Sequence, residues 1–73
     1  MNKEELTPRQ QFVYETIKNF IENNGYAPSV RELCNLCCVS SSATMWVHLQ
    51  KIKQKGYIDF INKKSRTIRI IKE

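Results

Sequence analysis

The sequence predicts an α+β fold, mainly α, in which three helices are followed by a two-stranded β-hairpin. Three observations predict it. Apolar residues recur at spacings of three and four up to residue 55. Capping residues bracket each of these stretches. After Gly56 the pattern changes to β-branched and aromatic runs around a polar turn. With 73 residues the chain has room for one small domain, expected over 1–73 with its core at about 6–71. A chain this short buries only about 60% of the surface its unfolded form exposes, so its core must be thin.

The first helix is expected at about 8–23. Thr7 can cap it, Pro8 suits its first position, and Gln10 completes a capping box. Phe12, Val13, Ile17, Phe20 and Ile21 form its apolar stripe, and Gly25 can take the left-handed conformation that ends it. Tyr26-Ala27-Pro28 makes a short connector, because Pro28 disfavours helix at Ala27. Ser29 and Glu32 form a second capping box, so the second helix begins at Val30, with Leu33, Cys34 and Cys37 facing inward. A third helix begins at Ser41 or Ser42 and runs to Lys55, where Gly56 stops it. Its core stripe is Met45, Leu49 and Ile52, with His48 alongside. Residues 57–61 and 66–71 read as the hairpin strands, joined by Asn62-Lys63-Lys64-Ser65. In that turn Asn62 is the residue best suited to a left-handed conformation.

Charge is unevenly spread along this plan. Twelve Lys and Arg face seven Asp and Glu, a net +5. Residues 1–45 hold four cations and five carboxylates, whereas residues 46–73 hold eight cations and two carboxylates. The excess therefore lies on the third helix and the hairpin, which suggests an acidic partner, the alternative being a solvated basic surface that keeps the protein soluble. No apolar run approaches the ~20 residues needed to span a bilayer, and the first residues lack a secretory signal. A cytoplasmic protein with no membrane partner is expected. Cys34, Cys37 and Cys38 are odd in number and crowded, unlike a disulfide framework. Together with His48 they lack the second ligand pair of a zinc site. Buried cysteine is often a small hydrophobe, so structural filling is expected here and a redox role is the alternative. With one His, no Gly-rich phosphate loop and no Ser/His/Asp set, no catalytic residue, metal or cofactor is expected, and the protein is not read as an enzyme.

Two short helices joined by a tight turn and followed by a basic hairpin form the pattern of a winged helix-turn-helix. That fold lays its second motif helix in the major groove of DNA. The third helix, about 41–55, is then the recognition helix, and residues about 57–71 form the wing. Opposite the core stripe the expected base-reading residues are Ser42, Ala43, Thr44, Trp46, Val47 and Gln50. Ala43 and Val47 suit thymine methyls, and Gln50 suits adenine. Trp46 has a second reading, as packing against the first or second helix. Ser40 and Ser41 suit a phosphate at the helix start as well as capping. Lys51, Lys53, Lys63, Lys64, Arg66 and Arg69 are the remaining phosphate candidates.

The residues also resemble a known family. Leu6-Thr7-Pro8-Arg9-Gln10-Gln11, Gly25-Tyr26-Ala27-Pro28-Ser29, Arg31-Glu32-Leu33, His48-Leu49, Lys55-Gly56-Tyr57-Ile58, Ser65-Arg66 and Ile68-Arg69 follow the order and spacing of the LexA-type repressor DNA-binding domain. The resemblance runs from about Leu6 to Ile71. It implies a bacterial or phage origin and a transcriptional regulator, in the main a repressor, that binds a double-stranded DNA operator. The family's self-cleaving peptidase domain, with its Ser/Lys dyad and main dimer contacts, has no counterpart in this sequence. The chain is accordingly expected to be either a natural minimal protein or an excised domain. The family often has glycine where Cys38 and Thr67 stand. A non-glycine residue at positive φ costs about 1 kcal/mol, which bears on the turn at Cys38.

One small module contacts few base pairs, so a homodimer on DNA is expected. The alternative is a winged-helix protein-interaction module, an antirepressor or corepressor, that uses the same surface for a protein partner. Exposure of both Leu36 and Trp46 would favour it.

Overall fold

A computed structural model describes residues 5–62, 64 and 66–71. Its elements are α1 (Pro8–Asn24), α2 (Val30–Cys37), α3 (Ser42–Gln54), β1 (Ile58–Asp59) and β2 (Arg69–Ile70). This is the expected mainly helical α+β architecture, three helices and a hairpin.

Each helix starts where a side chain relieves its unpaired N–H groups. At α1, Thr7 Oγ1 accepts from the Gln10 N–H at 3.2 Å, and Gln10 Oε1 accepts from the Thr7 N–H at 3.1 Å. At α2, Ser29 and Glu32 make the same reciprocal pair at 3.1 and 2.9 Å. At α3 the cap is Ser41, whose hydroxyl accepts from the Thr44 N–H at 3.4 Å. The ends use left-handed backbone: Gly25 at φ 79° closes α1, and Cys38 at φ 58°, ψ 38° closes α2. Cys38 thus adopts the conformation that glycine would take without a Cβ penalty. Gly56, at φ 90°, turns the chain out of α3.

The hairpin is antiparallel, with Ile58 opposite Ile70 and Asp59 opposite Arg69. Its ladder is shorter than the sequence suggests, because side chains intercept the next backbone groups. The Phe60 N–H donates to Asp59 Oδ1 at 2.9 Å, and the Ile61 N–H donates to Thr67 Oγ1 at 3.0 Å. On the other side of the ladder, the Ile71 N–H still reaches the Tyr57 carbonyl at 3.0 Å. Among the described residues of the wing, Arg66 rather than Asn62 is left-handed, at φ 61°.

One core joins all five elements. Val13 and Ile17 of α1, Leu33 and Cys37 of α2, and Met45, Leu49 and Ile52 of α3 meet Ile58, Phe60 and Ile68 of the hairpin. Fully burying an aliphatic side chain of this size stabilises by about 1.5–3 kcal/mol. The α1 stripe is narrower than expected. Val13 and Ile17 lie on its axis and are buried, whereas Phe12 is 49% exposed. Cys37 is buried and Cys34 half-buried, so the inner face of α2 also tapers. Two further ties cross the molecule. Lys55 Nζ at the end of α3 donates to Gln10 Oε1 at 2.8 Å and to the Glu5 carbonyl at 2.9 Å. The Tyr14 and Tyr57 rings meet edge-on at 5.3 Å, seating the start of the wing on α1. Among the described residues no helix is long and apolar enough to cross a membrane.

Candidate nucleic-acid interface

The roll of α3 follows from its buried stripe. With Met45, Leu49 and Ile52 inside, a helix turning ~100° per residue must present Ala43, Thr44, Val47 and Lys51 outward. All four are exposed, and Val47 is 53% exposed. Ser40, Ser41 and Ser42 are exposed at the helix start, where N–H groups point outward. Ser41 spends its hydroxyl on the cap.

Trp46 and Gln50 are half-buried and lie on the flank nearest the wing. Trp46 packs on Phe60, with ring centroids 5.4 Å apart and planes at 53°, and it also borders a groove shared with Val30 and Cys34 of α2. Gln50 Nε2 donates to Asn62 Oδ1 at 3.1 Å. Ala43, Trp46, Gln50 and Asn62 together line a cleft of about 380 Å³. Sequence reading placed Asn62 in a turn and did not place it at the interface. Only the fold brings it against α3.

The cations divide into two groups. Lys51 and Lys64 are exposed, and Lys63 lies outside the described residues. Lys53, Arg66 and Arg69 have internal partners. Lys53 Nζ sits 3.4 Å from Asp59 Oδ1, donates to the Phe60 carbonyl at 3.2 Å, and lies 4.7 Å from the Phe60 ring centroid. Arg69 reaches Asp59 Oδ2 at 3.2 Å, though its side chain is 76% exposed. Arg66 is held most completely. It grips Glu32 with two bonds of 2.9 and 3.1 Å, donates to the Ala27 carbonyl at 3.2 Å, and lies 5.0 Å from the Tyr26 ring centroid. Such a fork-to-carboxylate pair is geometrically specific. It fastens the wing to the first turn of α2, so Arg66 has a structural partner as well as its expected phosphate role.

The carboxylates register these contacts. Glu32 is held below its ordinary 4.5, first by the Ser29 N–H and then by Arg66. Asp59 is held below its ordinary 3.8, first by Arg69, then by the Phe60 N–H and Lys53. Burial pushes the Cys37 thiol up, which disfavours its reactive thiolate. The Cys34 Sγ lies 3.9 Å from the Ser41 carbonyl, bridging the turn between α2 and α3. Among the described residues no group of three or more His, Cys, Asp or Glu side chains is placed to hold a metal. Leu36 is 51% exposed but Trp46 is half-buried, so the pair of exposed residues that a protein-docking surface calls for is incomplete.

The LexA DNA binding domain family model matches residues 3–67. The chain is 42% identical over 69 residues to the LexA repressor of Staphylococcus haemolyticus, covering 94% of this chain and 33% of that protein. It is similarly 42% identical over 69 residues to the LexA repressor of Staphylococcus epidermidis, covering 94% and 34%. With the LexA repressor of Moorella thermoacetica it shares 39% over 67 residues, covering 92% and 33%. The chain therefore spans about a third of the length of these relatives.

Proposed function

The chain belongs to the LexA DNA binding domain family, and from that premise we propose that it binds a specific double-stranded DNA operator as a LexA-like transcriptional repressor. The observation that carries this reading is the outward face of α3. Small and apolar side chains (Ala43, Thr44, Val47) stand exposed opposite a fully buried stripe, with exposed lysines on the same helix and on the wing.

In this mechanism α3 enters the major groove and no bond is made or broken. Ser42, Ala43, Thr44, Trp46, Val47 and Gln50 face base edges. Ala43 and Val47 supply apolar contact to thymine methyls. Ser40 and Ser41 approach a phosphate at the helix start, where the backbone N–H groups and the helix dipole favour an anion. Lys51, Lys63 and Lys64 take phosphates as point charges. Lys53, Arg66 and Arg69 contribute less, because each already faces a carboxylate or has one nearby. A second copy on an adjacent half-site completes the operator, and such work belongs in the bacterial cytoplasm.

The test is titration of labelled duplexes at several salt concentrations, with the Lys63→Glu/Lys64→Glu double variant alongside. The variant should weaken binding at least about tenfold at low salt and flatten the salt dependence by about two charges. Unchanged binding in the variant, or no DNA bound by the wild-type chain at low salt, sinks the reading.

A further inference from the structure

The crease between α3 and the wing is built from two chemically different walls. Ala43, Trp46 and Gln50 follow one another at spacings of three and four, so they share one side of α3. Asn62 closes the cleft from the wing. One wall is apolar: the Ala43 methyl and the Trp46 ring, the latter steadied by Phe60. The other wall is a pair of primary amides bonded to each other, with Gln50 Nε2 donating to Asn62 Oδ1 at 3.1 Å.

That bond spends one N–H of Gln50 and one lone pair of Asn62, so the chemistry of Gln50 still offers Oε1 and a second N–H. In this arrangement the Gln50 nitrogen is turned to the wing and its oxygen away. An ordered acceptor and donor side by side match the N6 amino group and N7 of adenine. Guanine presents two acceptors on the same edge, so an amide held in one order discriminates against it. In an A·T pair the thymine methyl lies in the same groove as the adenine edge and suits an apolar wall.

We propose that this cleft reads one A·T base pair in the major groove. Gln50 meets adenine, Ala43 and Trp46 take the thymine methyl, and Asn62 is a positioning residue that orients the Gln50 amide without touching the base. The proposal rests on the DNA-binding reading above and assigns a ligand to this cleft within it.

The experiment uses the 73-residue chain. Random-site selection supplies the duplex, and competition binding then measures single substitutions along it. At one position the wild type should prefer A·T over G·C about tenfold or more. Asn62 is exposed, so Asn62→Ala leaves the core intact. It should cut that preference to about threefold or less and leave other positions unchanged. Asn62→Asp can only accept a hydrogen bond, so it still orders the Gln50 amide and should retain the preference. Replacing thymine by deoxyuridine at that position should weaken wild-type binding severalfold and have little effect on Trp46→Ala. Wild-type discrimination at every position in Asn62→Ala overturns the proposal. Loss of the preference in Asn62→Asp as well overturns the positioning role. If the wild-type chain enriches no sequence at all, the DNA-binding reading fails and the cleft assignment fails with it.

Discussion

Residues 8–54 and residues 57–71 are held in shape by different means. The helical part closes its own backbone bonds, caps each helix with a neighbouring hydroxyl, and buries a stripe from every helix. The wing has a two-residue ladder and takes the rest of its order from side chains. Arg66 reaches back to Glu32, Asn62 accepts from Gln50, Lys53 and Arg69 share Asp59, and Thr67 bonds to the Ile61 and Lys64 carbonyls. Both parts carry positive charge: residues 8–54 hold five cations and three carboxylates, and residues 57–71 hold four cations and one carboxylate. The shape of the wing depends on where its side chains find partners.

The most severe way to break this contrast is to damage what both parts share. Leu49 is fully buried in the common core. Leu49→Ala should cost about 2–5 kcal/mol, and denaturant unfolding followed by helix and wing signals should show one coincident transition. Separate transitions would mean the wing is not anchored in that core. Ser29→Ala acts on the helical part alone. Losing the α2 cap should cost about 1 kcal/mol, measured as a lower unfolding midpoint. Cys38→Gly works in the opposite direction. It removes a left-handed Cβ penalty, offset in part by the extra freedom of glycine when unfolded, and should stabilise by up to about 1 kcal/mol. A destabilised Cys38→Gly chain would show that the thiol contributes more than packing.

The two smallest effects sharpen the contrast on the wing side. Arg66→Ala should leave the global midpoint almost unchanged, because the Arg66–Glu32 pair is exposed. Amide exchange at Ile68 and Ile70 should nevertheless quicken while α1 stays protected. Equal exchange in both parts would deny Arg66 its fastening role. Acid should do the same more gently. Glu32 and Asp59 titrate below their ordinary values in the folded chain. Their contribution is therefore complete above the ordinary values of 4.5 and 3.8, and it fades as pH falls through the lower folded values. Wing resonances should shift in that window before those of α1.

The same contrast decides what could be read from the sequence. Helix starts were legible because capping is local: Thr7 with Gln10, and Ser29 with Glu32, are three residues apart. The outward face of α3 was legible because Met45, Leu49 and Ile52 obey helical spacing. The wing was legible only in outline. Arg66 and Glu32 are 34 residues apart, and no periodicity links them. Neither does any local rule pair Gln50 with Asn62 or Trp46 with Phe60, so the cleft at the crease had no signal in one dimension. The short ladder was likewise hidden, since Asp59 and Thr67 read as ordinary strand residues until their oxygens are seen capturing backbone N–H groups. At Cys38, a non-glycine residue takes the left-handed turn that closes α2.

The placement of Phe60 and Ile68 has one more consequence. Among the described residues they are the last buried ones on the two arms of the wing. Between them, Ile61, Asn62, Lys64 and Arg66 are exposed and Thr67 is half-buried. The tip therefore hangs from two apolar pegs, and its length is not dictated by the core. Doubling the length of such a loop costs only about 0.6 kcal/mol in closure entropy. Residues inserted between 64 and 66 should be tolerated, lengthening the reach of the wing without retuning the helices. Wing length past Asn62 can then be varied while the Gln50–Asn62 contact on α3 is kept.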